Sequence, residues 1–288
     1  MRVRFPLGVR SMGEPQKDNS VATRSNPEII PELLREKLKN PKFLPTREDI
    51  FHAFNPDGYL VENYETFLQR EWLDYTHDIE NPVYELFNRE YINALGDYLS
   101  KQVEDLGATV GNPITILEVC AGNGRLTHFL KEKLEQTIPG KAKLIATDSG
   151  ASKLAINFPV EKLDHKSAIE KYNPQIILCS WMPLGIDLSA DFRKDLSVKE
   201  YLLIGQPTLC GNPWYTYGEN VDSNSFSYTV SDEEIKEREK QLAPYKADGF
   251  EEQFMKNISK FQICRIDEPR VDRLFDSYSA TYSYKRKI

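Results

Sequence analysis

An acidic residue at the end of an apolar run, then a glycine-bearing turn, then a helical pattern can hold a ligand by main-chain atoms, and ITILEVCAGNGRLTHFL (114–130) has this form. The run ends at Glu118 and Val119, the turn comprises Cys120, Ala121, Gly122, Asn123 and Gly124, and Leu126, Phe129, Leu130 and Leu134 begin a helix. Glycine at 122 and 124 lets N–H groups approach a ligand with no Cβ in the way. The carboxyl end of a parallel strand is also where open α/β sheets bind nucleotides. A plain strand-to-helix turn favours glycine too, so the neighbouring residues must discriminate. A G-x-G-x-x-G fingerprint anchored at Gly122 would need glycine at Thr127, and G-x-x-x-x-G-K-[ST] occurs nowhere. Glu118 beside the turn would repel a pyrophosphate and suit a cationic ligand. A second acid, Asp148, ends KLIATD, where a carboxylate can accept both hydroxyls of a ribose.

Two further stretches bear on chemistry. In CSWMPLG (179–185) an apolar run ends in Ser180, Trp181, Met182 and Pro183. Core packing would suit the Trp and Met equally well, but a Pro-Leu-Gly turn at a strand's carboxyl end points to a cleft. Residues 205–228 hold three glycines and two prolines together with Trp214, Tyr215, Tyr217, Phe226 and Tyr228. Loops this long are functional or disordered, and the aromatics favour a lid or an acceptor wall. The four cysteines, Cys120, Cys179, Cys210 and Cys264, form no CxxC pair and have no histidine at ligand spacing, so reduced, packed thiols and no metal site are expected.

These residues need a scaffold, and the pattern around them supplies one. From Ile114 short β-branched runs alternate with helical stretches: ITILEV, LTHFLKEKL, KLIATD, IILCS, EYLLIG. That alternation predicts βαβ units and a parallel sheet. Ser231 and Glu234 form a capping-box pattern before a charged helix. FQICRI from Phe261 and the alternation of Tyr278, Ala280, Tyr282 and Tyr284 predict two antiparallel strands at one sheet edge. Before the sheet, residues 27–105 read as a helical extension packing on the core. Its best helix is expected to open at Asn81-Pro82 and carry Tyr84, Phe87, Tyr91, Leu95 and Tyr98 on one face. Residues 106–288 form the main domain, and 1–26 read as a flexible tail.

Composition bounds the class. The 288 residues are 40 % hydrophobic, 28 % charged and 11 % aromatic, enough for one sizeable core and unlike collagen-like or disordered chains. No apolar run approaches the roughly 18 residues that cross a bilayer, so a soluble, cytoplasmic protein is expected. The basic leader (Arg2, Arg4, Arg10, Lys17, Arg24) makes mitochondrial import a minor alternative. A net charge of −7 gives no global attraction for phosphate backbones or anionic lipid.

From Glu118 to Gly124 the chain resembles the class I S-adenosylmethionine-dependent methyltransferases. It matches their E/D-x-G-x-G-x-G motif, with Cys120 at the first glycine position. The resemblance spans about residues 81–288. It implies a Rossmann-like, mostly parallel seven-stranded sheet with an antiparallel last strand, and S-adenosyl-L-methionine as cofactor. It also implies that the Cys120–Gly124 turn wraps the cofactor's amino acid end, that Asp148 holds the ribose, and that Asp164 with His165 lies beside the adenine. Ser149, Ser180 and Trp181 join Glu118 as cofactor-side candidates, and Met182, Pro183, Trp214 and Tyr215 as acceptor-side candidates. CSWMPLG is not the acid-Pro-Pro-Tyr box, which disfavours methylation of a DNA base. A small molecule or a protein is the preferred acceptor, and nucleic acid the less favoured one. Methyl transfer is an in-line displacement that needs positioning above all. If a base is used, His165, Asp187 and Tyr215 are the candidates. The alternative is a non-catalytic, methyltransferase-like binding or assembly subunit.

Overall fold

The computed structural model describes residues 31–54, 65–78, 81–151, 155–218, 231–238, 240–267 and 278–287. The tail expected at 1–26 lies outside them. Three short helices come first, α1 (Pro31–Leu38), α2 (Arg47–Phe54) and α3 (Glu65–Thr76), then the longer α4 (Arg89–Asp105). There follow β1 (Ile114–Val119), α5 (Arg125–Thr137), β2 (Ala142–Asp148), β3 (Glu161–Lys162), α6 (His165–Tyr172), β4 (Ile176–Ser180), α7 (Ser189–Lys194) and β5 (Glu200–Gly205). After a helical turn at Pro213–Tyr217 come α8 (Asp232–Arg238), α9 (Pro244–Ala247), β6 (Phe250–Phe254), α10 (Lys256–Ser259) and β7 (Ala280–Arg286).

The strands form one seven-stranded sheet in the order β3-β2-β1-β4-β5-β7-β6. β1 to β5 are parallel, and β7 runs antiparallel to both β5 and β6. The central strands are apolar and buried on both faces, as a helix-covered parallel sheet requires. Alternation along each strand sends Ile114, Ile116, Ile176, Leu178, Leu202 and Ile204 to one face, against Tyr91, Ile92, Leu95 and Leu99 of α4 and Leu126, Phe129 and Leu130 of α5. Leu117, Val119, Ile177, Cys179, Tyr201 and Leu203 go to the other face with Ala168, Phe192, Tyr217 and Tyr245. A smaller core of Leu34, Leu38, Ile50, Phe54, Trp72 and Leu86 holds α1, α2 and α3 together. No helix among the described residues is long and apolar enough to cross a membrane.

Two boundaries differ from the sequence reading. The long helix opens at Arg89, not at Asn81-Pro82, because Asn88 is its cap: the Asn88 Oδ1 accepts the Tyr91 N–H at 2.9 Å while its Nδ2 donates to the Phe261 carbonyl at 2.7 Å. Tyr84 and Phe87 therefore precede the helix. FQICRI is not a strand. It continues the turn of α10 (Phe261 N–H to Ile258 O, Gln262 N–H to Ser259 O), and only Cys264 pairs, in a single bridge with Glu85. The strand beside β7 is instead FEEQF, 250–254, whose residues after Phe250 are exposed, so it needs no apolar run.

Candidate functional site

The strand register puts the ends of β1, β2 and β4 on one rim: Glu118 pairs with Ala146 and Leu178, Asp148 with Lys162, and Ser180 with Ile204. β1 and β4 lie side by side although their crossovers leave in opposite directions across the sheet. Such a switch point opens a crevice outside the strands' carboxyl ends. Both residues that leave the strands at this point have left-handed backbones, Cys120 at φ 56° and Trp181 at φ 52°. Positive φ is rare for large side chains and clusters at functional sites.

On the β1 side the turn is fixed from three directions. The Ala121 N–H donates to Thr147 O at 3.0 Å and the Gly124 N–H to Ala121 O at 2.9 Å. The Gly122 N–H donates to the Asp148 Oδ2 at 3.0 Å, and the Gly150 N–H to Asp148 Oδ1 at 2.7 Å. Gly124 has φ 78°, and a Cβ there would lie 2.6 Å from Val160 Cγ2, so this glycine is required both by conformation and by the 158–160 segment packed on it. Glu118 is buried, and its Oε2 accepts from the Thr127 N–H at 3.0 Å and the Thr127 hydroxyl at 2.6 Å, which ties the first turn of α5 to β1. Burial pushes the Glu118 carboxyl up to about 7 against the pull of the Thr127 bonds. Ser149 is exposed beside Asp148. Asp164 is exposed and caps α6, accepting from the Lys166 and Ser167 N–H groups and, at 2.7 Å, from the Ser167 hydroxyl. His165 turns toward α7, its Nε2 3.0 Å from Asp191 Oδ2.

The β4 side is built with help from outside the sheet. The Trp181 N–H donates to Ile204 O at 2.7 Å, and its indole Nε1–H donates to the Glu85 Oε2 at 3.0 Å. Tyr84, 41 % exposed, lies against the Trp181 ring with centroids 5.5 Å apart, and the Arg265 guanidinium covers Tyr84 at 4.6 Å. Met182 is buried, with its sulfur accepting from the Leu188 N–H at 3.4 Å, whereas Pro183 is exposed. Asp187 is occupied: its Oδ1 accepts from the Ser189 N–H and the Ser189 and Thr216 hydroxyls, and its Oδ2 lies 3.7 Å from Arg193. Those bonds join the loop after β4 to the Pro213–Tyr217 turn, so this part of the expected lid or acceptor wall has a helical turn of its own. Asn212 caps this turn, accepting from the Trp214 and Tyr215 N–H groups. Trp214 is buried with Arg238 5.7 Å from its ring centroid, and Tyr215 is exposed. Residues 219–230 of the expected lid lie outside the described residues.

The structure thus brings Glu118, the Cys120–Gly124 turn, Asp148, Ser180 and Trp181 to one rim. It commits Asp164, Asp187 and Met182 to local bonds or packing. Sequence reasoning missed Glu85, a buried acid in VYELF, for which a lone charge inside an apolar stretch was the available signal. It also missed Arg125, whose Nη2 donates to Phe43 O at 2.6 Å and so joins the residue after the turn to the segment between α1 and α2.

Neither a family model nor a curated protein matches the chain. Among solved structures, a CurJ carbon methyltransferase is 16 % identical over 68 % of this chain and 54 % of its own, at a TM-score of 0.39. A plantazolicin methyltransferase, BamL, in complex with a triazolic desmethyl analogue and S-adenosylhomocysteine, is 10 % identical over 90 % of this chain and 100 % of its own, at 0.38. A putative S-adenosylmethionine-dependent methyltransferase from Listeria monocytogenes is 12 % identical over 68 % and 100 %, at 0.33. The chain spans about half the length of the carbon methyltransferase. At these values the likeness carries no argument about function, and the fold assignment rests on the strand order itself.

Proposed function

We propose that this chain, whose sheet has the class I methyltransferase strand order with its antiparallel β7, binds S-adenosyl-L-methionine at the rim of β1, β2 and β4 and directs methyl transfer to an acceptor. The carrying observation is the placement of Asp148, at the end of β2, against the Gly122 N–H of the β1 turn. The donor set fits that group. Each Asp148 oxygen accepts one main-chain N–H, and a carboxylate has about four lone-pair sites, so a ribose diol can be added without displacing either bond. Glu118 has its Oε2 turned to Thr127 and braces the turn from below, so it does not present a bare charge to the ligand. When bound, the cofactor supplies an electrophilic methyl group on a sulfonium.

The chain's residues then have positioning roles. The Cys120–Gly124 turn holds the amino acid end, Asp148 orients the ribose, and Ser180 with Trp181 closes the β4 side, so that an acceptor approaches from beyond Trp181 and Pro183. Small molecules and proteins are the acceptors this reading favours. If the acceptor must lose a proton, His165, whose ring Asp191 holds by Nε2, and the exposed Tyr215 are the candidate bases with bonding capacity left, whereas Asp187 is already committed to Ser189, Thr216 and Arg193. The reading is tested by thermal melts with S-adenosylhomocysteine and with NAD. A ligand at a hundred times its Kd adds about 2.7 kcal/mol to stability, which raises Tm by several degrees for a chain of this size. The reading predicts that rise with S-adenosylhomocysteine. A rise with NAD alone would overturn it.

A further inference from the structure

Glu85 is one of three buried glutamates among the described residues, with Glu118 and Glu200. It is 7 % exposed, lies in the extended stretch before α4, and is bonded at both oxygens. Its Oε2 accepts the Trp181 indole N–H at 3.0 Å, and its Oε1 accepts from the Ser279 hydroxyl at 3.0 Å and the Gln262 amide at 3.3 Å. Gln262 in turn accepts from Thr281, whose hydroxyl meets that of Tyr91 at 2.9 Å. The chain of bonds therefore runs from α4 through β7 to the end of β4. The main chain at Glu85 is itself held, by the bridge to Cys264 and by the Leu86 N–H donating to Ile263 O at 2.8 Å. A carboxyl buried this deeply persists only where several donors satisfy it. Here one of those donors is the residue that leaves β4 at the rim of the crevice.

Trp181 needs such a restraint. Its backbone is left-handed, its ring lies over Gly205, where an added Cβ would come within 3.6 Å of its Cδ2, and Tyr84 flanks it on another side. The main-chain bond to Ile204 fixes where the residue starts, and the indole bond to Glu85 fixes where the ring points. We propose that Glu85 is a positioning residue of the methyl-transfer site. Through its bond to the Trp181 indole it sets the wall that the end of β4 presents to the cofactor and the acceptor, and so makes the segment before α4 part of the site. This rests on the proposed function for what the crevice holds, but not for the coupling of the two side chains.

The test uses the full chain labelled with nitrogen-15 tryptophan. Its three tryptophans give three indole N–H signals, and Trp181→Phe identifies the one of interest. In the free protein, Glu85→Ala should move the Trp181 signal upfield, and S-adenosylhomocysteine should bind about tenfold more weakly, the factor that 1.4 kcal/mol represents. Glu85→Gln, whose Oε1 can still accept the indole proton, should restore both the signal and the affinity. An unmoved Trp181 signal in Glu85→Ala, or unchanged affinity, would overturn the proposal. If Glu85→Ala does not fold, Trp181→Phe removes the same bond and leaves Gln262 and Ser279 satisfied. Its loss of affinity should not be deepened by adding Glu85→Gln, and additive losses would overturn the proposal. Failure of the wild-type chain to bind S-adenosylhomocysteine would overturn the methyl-transfer reading alone, and the Trp181 signal of the free variants would still decide the role of Glu85.

Discussion

Raising the pH from about 5 to 8 should loosen this fold, because two of its acids are held protonated by burial. Burial pushes Glu118 up to about 7 in spite of its bonds to Thr127, and pushes Glu85 up to about 8 in spite of the bonds from Trp181, Ser279 and Gln262. In the unfolded chain both ionise near 4.5. Between about pH 5 and 7 the folded state thus binds two more protons than the unfolded one, and stability falls by about 1.4 kcal/mol per pH unit for each group. That is about 5 kcal/mol across two units, a large share of the roughly 5–15 kcal/mol that a domain possesses. Above about 7 Glu118 no longer contributes and the slope lessens, and above about 8 Glu85 no longer does; Glu200, whose carboxyl burial also raises, adds to the fall in the same sense. His77, lowered by burial and by Arg265, works in the opposite sense but is exposed, so its effect is small. Urea unfolding followed by circular dichroism at pH 5, 6, 7 and 8 measures the slope. Glu118→Gln, which still offers an oxygen to both Thr127 donors, should roughly halve it between pH 5 and 7. A stability that is flat or rising over that interval would refute the reasoning.

Other substitutions test single contacts. Asp148→Ala should weaken S-adenosylhomocysteine binding by about tenfold to a thousandfold in calorimetry, since each charge-assisted bond to a hydroxyl is worth roughly 1.5–3 kcal/mol before water compensates. Gly124→Ala should cost about 1–3 kcal/mol in urea melts, because φ is 78° and the new methyl would meet Val160 at 2.6 Å and Phe158 at 3.2 Å. Arg193→Ala should cost about 1–3 kcal/mol, since the buried guanidinium donates to the half-exposed Asp248 and to the Ser189 hydroxyl, each at 2.6 Å, and lies 3.7 Å from Asp187. An Arg193→Ala chain with unchanged stability would show that solvent replaces those bonds.

The parts of this fold that were legible in the sequence are those set by local pattern. ITILEV, KLIATD, IILCS and EYLLIG announce central strands because both faces of a covered parallel sheet must be apolar. Glu118 and Asp148 could be located because each closes such a run. The edge was not legible: FEEQF pairs with β7 by main-chain bonds while four of its five side chains face water, so nothing apolar marks it. FQICRI misled for the converse reason. Its apolar residues are buried or half-buried without forming a ladder: Phe261 packs against the core between α4, α5 and the sheet, Ile263 against the core of α1, α2 and α3, and Cys264 makes the single bridge to Glu85. The helix start was displaced because Asn81-Pro82 has the right residue types for a cap, whereas Asn88 is the asparagine with partners on both its oxygen and its nitrogen. Glu85 escaped notice because its partners lie 96, 177 and 194 residues away, a distance over which no periodicity carries information.

Isothermal titration of S-adenosylhomocysteine into the purified full chain tests the central claim most directly. The account predicts one site per chain with a Kd below millimolar, and loss of that heat in Asp148→Ala chains that melt at the wild-type temperature. No binding at millimolar ligand, or binding that Asp148→Ala leaves untouched, would contradict it.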